Sequence, residues 1–136
     1  MALIVDATAI IARERRGYGP DAIDAVAPGE RLVLAAVTAS ELLIGVHRAD
    51  PARRRQRSPF VEGMIARLPL IPFDLLAARA HARLWSDLAA AGTPIGPNDL
   101  LIAATALAHG HDVLTDNAWE FRRVPGLTVV QPAWPP

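Results

Sequence analysis

Five short runs along this chain are apolar at nearly every position: ALIV (2–5), RLVLAAV (31–37), PLIPF (69–73), DVLT (112–115) and TVV (128–130). Unbroken runs of this length predict strands covered on both faces, as in a parallel sheet. Between them the apolar residues recur at helical spacing. ATAIIARERR (7–16) reads as a helix with Ile10 and Ile11 inward and Arg13, Arg15 and Arg16 outward, ended by Gly17, Gly19 and Pro20. Residues 20–27 predict one or two helical turns behind Pro20. TASELLIGVHRA opens with Thr38 and Glu41 in the spacing of a capping box, and another helix is predicted from about Pro51 through VEGMIARL. The longest helix, DLLAARAHARLWSDLAAAG, takes Asp74 as its N-cap and Gly92 past its end, and Asn98 is the expected cap of DLLIAATALAHG.

Strands alternating with helices predict an α/β fold: a three-layer α/β/α sandwich around a mainly parallel sheet of four to five strands. No linker, internal repeat or low-complexity segment interrupts the pattern, so residues 1–136 are expected to form one domain, with QPAWPP (131–136) a loosely held tail. The length supports one full core.

Composition narrows the chemistry. Basic and acidic residues balance at 14 each, so only local patches can favour nucleic acid. Every basic residue is Arg and none is Lys, which closes Schiff-base chemistry and the phosphate-loop lysine to this chain. The absence of Cys removes disulfides and thiolate metal sites. MALIVDATAII has no basic stretch before its apolar run and no run reaches the ~20 residues of a membrane span, so a cytoplasmic protein with no membrane partner is expected.

In the predicted sheet Asp6 follows the first strand, Glu41 lies one turn beyond the second and Asp116 follows the fourth. Asp99 opens a helix that must run antiparallel to the strand it feeds. All four carboxylates therefore fall at the carboxyl edge of the sheet, where open parallel sheets bind ligands. Taken singly, each has a local explanation: Asp6 as an N-cap, Glu41 as half of a capping box, Asp99 as a first-turn acid, Asp116 as a turn residue. Four local reasons do not require one shared edge. Two unit charges 4 Å apart repel by about 4 kcal/mol at an effective dielectric of 20. The offsets open to this chain are a shared proton, Arg, or a hard divalent cation, of which Mg²⁺ or Mn²⁺ suits an all-oxygen site acting on phosphodiesters.

The blocks LIVDATAII, TASELLIGVHRA, IGPNDLLIAATALAHGHDVLTDNAWEF and RRVPGLTVV resemble, in this order, a PIN-domain ribonuclease of the VapC type, the toxin of a bacterial type II toxin–antitoxin pair. The resemblance covers most of the chain. It implies an Mg²⁺- or Mn²⁺-dependent endoribonuclease in which Asp6, Glu41 and Asp99 hold the metal and Thr8 hydrogen-bonds within the site. A fourth polar ligand is expected after Thr115. Many members of the family carry an acid two residues after that threonine; here the place is taken by Asn117, with Asp116 beside it and Glu120 one turn on. Asp116 supported by Asn117 is the favoured choice. The resemblance also implies a homodimer, an RNA substrate such as tRNA, and neutralisation by a VapB-type antitoxin.

Arg53, Arg54, Arg55 and Arg57 form one basic run and Arg13, Arg15 and Arg16 another; each is a solvated helix face or a set of phosphate contacts for RNA. His109 and His111 are expected as helix-end cations rather than zinc ligands, and Trp85 as core or interface rather than a base-stacking platform. The exposed face that ELLIGVHRA would offer a partner competes with ordinary burial. Two rival classes stand beside the nuclease. A non-catalytic PIN-like interaction module would keep the fold without the site. A receiver-like or phosphatase domain would want a lysine and a second acid where Thr8 stands.

Overall fold

The computed structural model describes residues 2–133. Five strands, β1 (Leu3–Val5), β2 (Leu32–Ala35), β3 (Leu70–Ile71), β4 (Asp112–Leu114) and β5 (Val129–Val130), form one sheet in the order β3-β2-β1-β4-β5. Every pairing is parallel. Helices α1 (Ala7–Arg15), α2 (Ala36–Arg48), α3 (Pro51–Arg67), α4 (Leu75–Ala91), α5 (Pro97–His109) and the single turn α6 (Ala118–Phe121) cover it, with a 3₁₀ segment at Pro20–Val26. The expected three-layer sandwich is the one observed.

Strand side chains alternate between faces, and the two halves of the core follow that alternation. Leu3, Val5, Leu32 and Leu34 pack with Ile10, Ile23, Val46, Val61 and Met64 on one side. Ala2, Ile4, Val33 and Val113 pack with Leu84, Leu88, Ile102, Ala103 and Phe121 on the other. Leu42 and Val46 of ELLIGVHRA are core, and Ile44 is exposed together with the polar His47 and Arg48. Trp85 is 61% exposed, which removes it from the core.

Local predictions hold or fail for identifiable reasons. Asp74 caps α4 by accepting from the Ala77 amide at 2.9 Å, and Gly92 ends the helix at φ 72°, a left-handed value that favours glycine. The 31–37 run is a strand only to Ala35, because α2 begins at Ala36. Thr38 therefore sits a turn inside the helix, fully buried, and the capping-box reading of Thr38 and Glu41 fails. Likewise Gly96, not Asn98, is the N-cap of α5, since Pro97 fits the first helical position. In the tail, the Ala133 amide donates to the Val26 carbonyl at 2.8 Å, while residues 134–136 of the expected loose end lie outside the described residues.

Arg54 also departs from expectation. Its guanidinium reaches back from α3 to the carbonyls of Val46 (3.3 Å), His47 (3.1 Å) and Ala49 (3.0 Å), closing the C-terminal end of α2. It therefore has a structural role at the α2–α3 corner. Arg54→Ala is expected to lower stability by about 1–2 kcal/mol. A urea titration checks this, and an unchanged midpoint would show that the three contacts contribute nothing.

Candidate active site at the carboxyl edge

The order β3-β2-β1-β4-β5 places the topological switch between β1 and β4, and the carboxyl ends of those two strands open the crevice there. Asp6 follows β1 directly. It occupies the N-cap position of α1, yet makes no side-chain cap bond. Its Oδ2 instead accepts from Thr8 Oγ1 at 2.8 Å and from Thr115 Oγ1, just beyond β4, at 2.9 Å. Asp6 is 2% exposed, so these two hydroxyls are what hold its orientation. Thr8 and Thr115 are themselves 3.2 Å apart.

Thr115 has a second role. Its Oγ1 accepts from the Asn117 amide at 2.9 Å, a hydroxyl-closed turn that puts Asp116 on the outside. Asp116 is exposed, and its backbone amide donates to Thr8 Oγ1 at 3.2 Å. The acid that this segment turns toward the site is Glu120. Its Oε1 accepts from the Gly96 amide at 2.5 Å and its Oε2 from Asn117 Nδ2 at 3.1 Å. Glu120 thereby fastens α6 to the N-terminus of α5, the turn that carries Asp99.

The electrostatics identify the group that interacts. Burial pushes the Asp99 carboxyl up to about 7, with the charge of Asp6, the hydrogen bond and charge of Glu120, and the charge of Glu41 adding in that order. Glu120 moves the other way, held down first by the Gly96 amide and then by Asp99 and Asn117. A proton resident on Asp99 and donated to Glu120 satisfies both. Glu41 is raised by its own burial and by Asp6, against a hydrogen bond from Asn98. One of its oxygens, Oε1, is buried with no hydrogen-bond partner.

Of the residues singled out from sequence, Asp6, Glu41 and Asp99 act on one another, with Thr8, Thr115 and Asn117 in support. Glu120 is the further acid whose hydrogen bond and charge reach Asp99, while Asp116 lies exposed beyond Thr115. Asn98 and the Gly96 amide were not foreseen; the first was read only as a cap, and a backbone amide leaves no mark in a sequence.

The basic clusters divide. Arg13 is 2% exposed, with its guanidinium 4.3 Å from the Tyr18 ring, and burial lowers its pKa against the pull of Tyr18 and Asp21. It is a core residue and not an RNA contact. Arg57 pairs with Glu14 at 3.1 Å. Arg15 and Arg53 come from different helices to line one groove with Tyr18, Gln56, Arg57 and Phe60, and Arg16 and Arg55 are exposed near it in sequence. Away from the site, the His109 ring meets the Asp74 carboxylate at 3.1 Å, and among the described residues no helix is long and apolar enough to cross a membrane.

The donor set fits a hard cation: its side chains offer only oxygens, neighbouring acid charges add to the rise of Asp99 and Glu41, and one buried Glu41 oxygen lacks a partner. Among the described residues no three acids or imidazoles form a ready-made cage. A cage is not needed for Mg²⁺, which is usually held by one or two carboxylates and keeps several waters.

Comparison with known proteins gives a consistent result. The PIN domain matches residues 3–127. Over 131 residues the chain is 34% identical to ribonuclease VapC1 of Rickettsia felis, covering 96% of each chain. It is 35% identical over 99 residues to a tRNA(fMet)-specific endonuclease VapC of Salmonella typhimurium, covering 73% of this chain and 74% of that one. Among solved structures, a DNA-bound VapBC from Salmonella typhimurium superimposes with a TM-score of 0.83 at 27% identity, covering 96% of this chain and 98% of that one.

The Asp99 shift has a consequence for stability. Folding raises this carboxyl from 3.8 to about 7, so the folded chain binds the proton more tightly than the unfolded one. The stabilisation is complete below 3.8 and is lost as pH rises through 7. In EDTA, Asp99→Asn is expected to raise Tm above pH 7, with the gain shrinking toward zero near pH 4. Thermal melts across that range check this, and a gain independent of pH would contradict it.

Proposed function

The chain belongs to the PIN domain family, and from that premise we propose that it is an endoribonuclease toxin neutralised by a VapB-type antitoxin. The reading carries tRNA as the substrate class, because a relative of 35% identity is a tRNA(fMet)-specific endonuclease. It carries the antitoxin because a structural neighbour is a VapBC complex. A homodimer acting in the cytoplasm, where tRNA is found, completes it. The observation on which it rests is a carboxyl group held near neutrality among three other acids at the sheet's carboxyl edge.

Asp6, Glu41, Asp99 and Glu120 would hold Mg²⁺ or Mn²⁺. When bound, such an ion supplies positive charge for the phosphate oxygens and lowers the pKa of a water. The protein's own contribution is orientation and proton handling. Thr8 and Thr115 fix the Asp6 carboxylate, and Gly96 and Asn117 fix that of Glu120. Asp99, poised near 7, is the carboxylate suited to take a proton from the attacking water, with Glu120 accepting its hydrogen bond. Arg15 and Arg53 offer the phosphate backbone a path toward this edge, since their groove shares Glu14, Arg57 and Phe60 with the small pocket containing Glu41.

A non-catalytic interaction module has no use for mutually repelling acids, and a receiver-like domain lacks its lysine here. Cleavage of RNA in Mn²⁺ by chain freed of any partner separates these readings. Asp6→Asn, Asp99→Asn and Glu120→Gln are each expected to reduce the rate by about a hundredfold or more. Asp116→Asn is expected to cleave like the wild type. Equal cleavage by Asp6→Asn would indicate a contaminating nuclease, and loss in Asp116→Asn with retention in Glu120→Gln would reverse the assignment of the fourth acid.

A further inference from the structure

The four residues of α6 divide their side chains among separate tasks. Ala118 and Phe121 are buried and anchor the turn, Glu120 reaches Gly96 and Asn117, and Trp119 is left 62% exposed. The indole therefore stays available at the surface while its neighbour Phe121 is buried. The Arg123 guanidinium lies over the Trp119 ring, 5.0 Å from its centre. The same Arg123 donates to the Pro94 carbonyl at 3.0 Å, which ties it to the loop leading into α5. Arg122 is exposed beside it. The result is a braced aromatic surface with two cations, one residue along the chain from Glu120.

We infer that Trp119, backed by Arg123, is a stacking platform for a nucleobase of single-stranded RNA next to the cleaved phosphate. This rests on the endoribonuclease reading and adds a substrate-binding element to it. A nucleotide matches both features at once: its base offers a π-face to the indole and its phosphate an anion to Arg122 and Arg123. An apolar protein surface would match the indole but offer no anion to the arginines. Stacking accepts any base, so the platform holds the strand without selecting sequence. A guanidinium already fixed by Pro94 costs less to order when the base arrives.

The test is binding of a fluorescent single-stranded RNA in EDTA, where cleavage does not intervene. Trp119→Ala is expected to weaken binding on the order of ten- to a hundredfold. Trp119→Phe, which keeps a stacking ring, is expected to stay close to the wild type. RNA should quench indole emission of the wild type, and this quench should disappear in Trp119→Phe although its affinity is kept; a purely structural role would not produce that separation. Unaltered affinity in Trp119→Ala, with wild-type cleavage in Mn²⁺ intact, overturns the platform and leaves the nuclease standing. Unaltered RNA affinity with weakened self-association or antitoxin capture would assign Trp119 to a protein interface instead. A wild type that neither binds nor cleaves RNA would remove both readings.

Discussion

Carboxylates brought together away from water repel one another, and the carboxyl edge of this sheet is organised around tolerating that repulsion. Each acid receives a different relief. Asp6 accepts from two threonine hydroxyls. Glu120 accepts from a backbone amide and an asparagine. Asp99 keeps a proton up to about pH 7. Glu41 retains one buried oxygen with nothing to accept from, so it is the acid with most to gain from a cation. Hydrogen bonds to the charged form and protonation are opposite solutions to one electrostatic problem, and both occur among neighbouring side chains.

The scaffold makes this crowding possible because the elements that carry the acids are fixed elsewhere. β1 and β4 are interior strands, paired on both sides. α4 and α5 pack together over one face of the sheet through Leu84, Leu88, Ile102 and Ala103. α6, a single turn that would not persist alone, is held by Ala118 and Phe121. With those two positions buried, Glu120 and Trp119 are free for work at the surface. Fold and site meet in that turn, where the buried pair sets the direction of the exposed pair.

Much of this was legible in the sequence, because parallel strands read as unbroken apolar runs and acids following them stand out. Asp6 stands out on those grounds, while Glu41 and Asp99 needed the direction of their helices relative to the sheet, and their joint role came from the family resemblance. The contact between Glu120 and Asp99 was not legible, since the path of this segment depends on a Thr115 hydroxyl closing a turn onto the Asn117 amide. Thr38 and Glu41 mimic a capping box because the spacing is right and only the helix start, with its N-cap at Ala35 three residues before Thr38, is wrong for it. Arg13 shares its sequence pattern with Arg15 and Arg16, and its burial depends on Tyr18, which lies beyond the glycine that ends the helix. Arg54 looks like its neighbours in a basic run until the α2–α3 corner brings three carbonyls to it. In each case pattern located the element, and a contact across the fold decided the side chain's role.

Carboxyl-carbon NMR of Asp99 against pH, first in EDTA and then with saturating Mg²⁺, examines the crowding itself. The expected result is titration near 7 without the ion and well below that value with it. Titration at the ordinary carboxylate value in both conditions would mean that these acids do not act on one another, and the site proposed here would lose its physical basis.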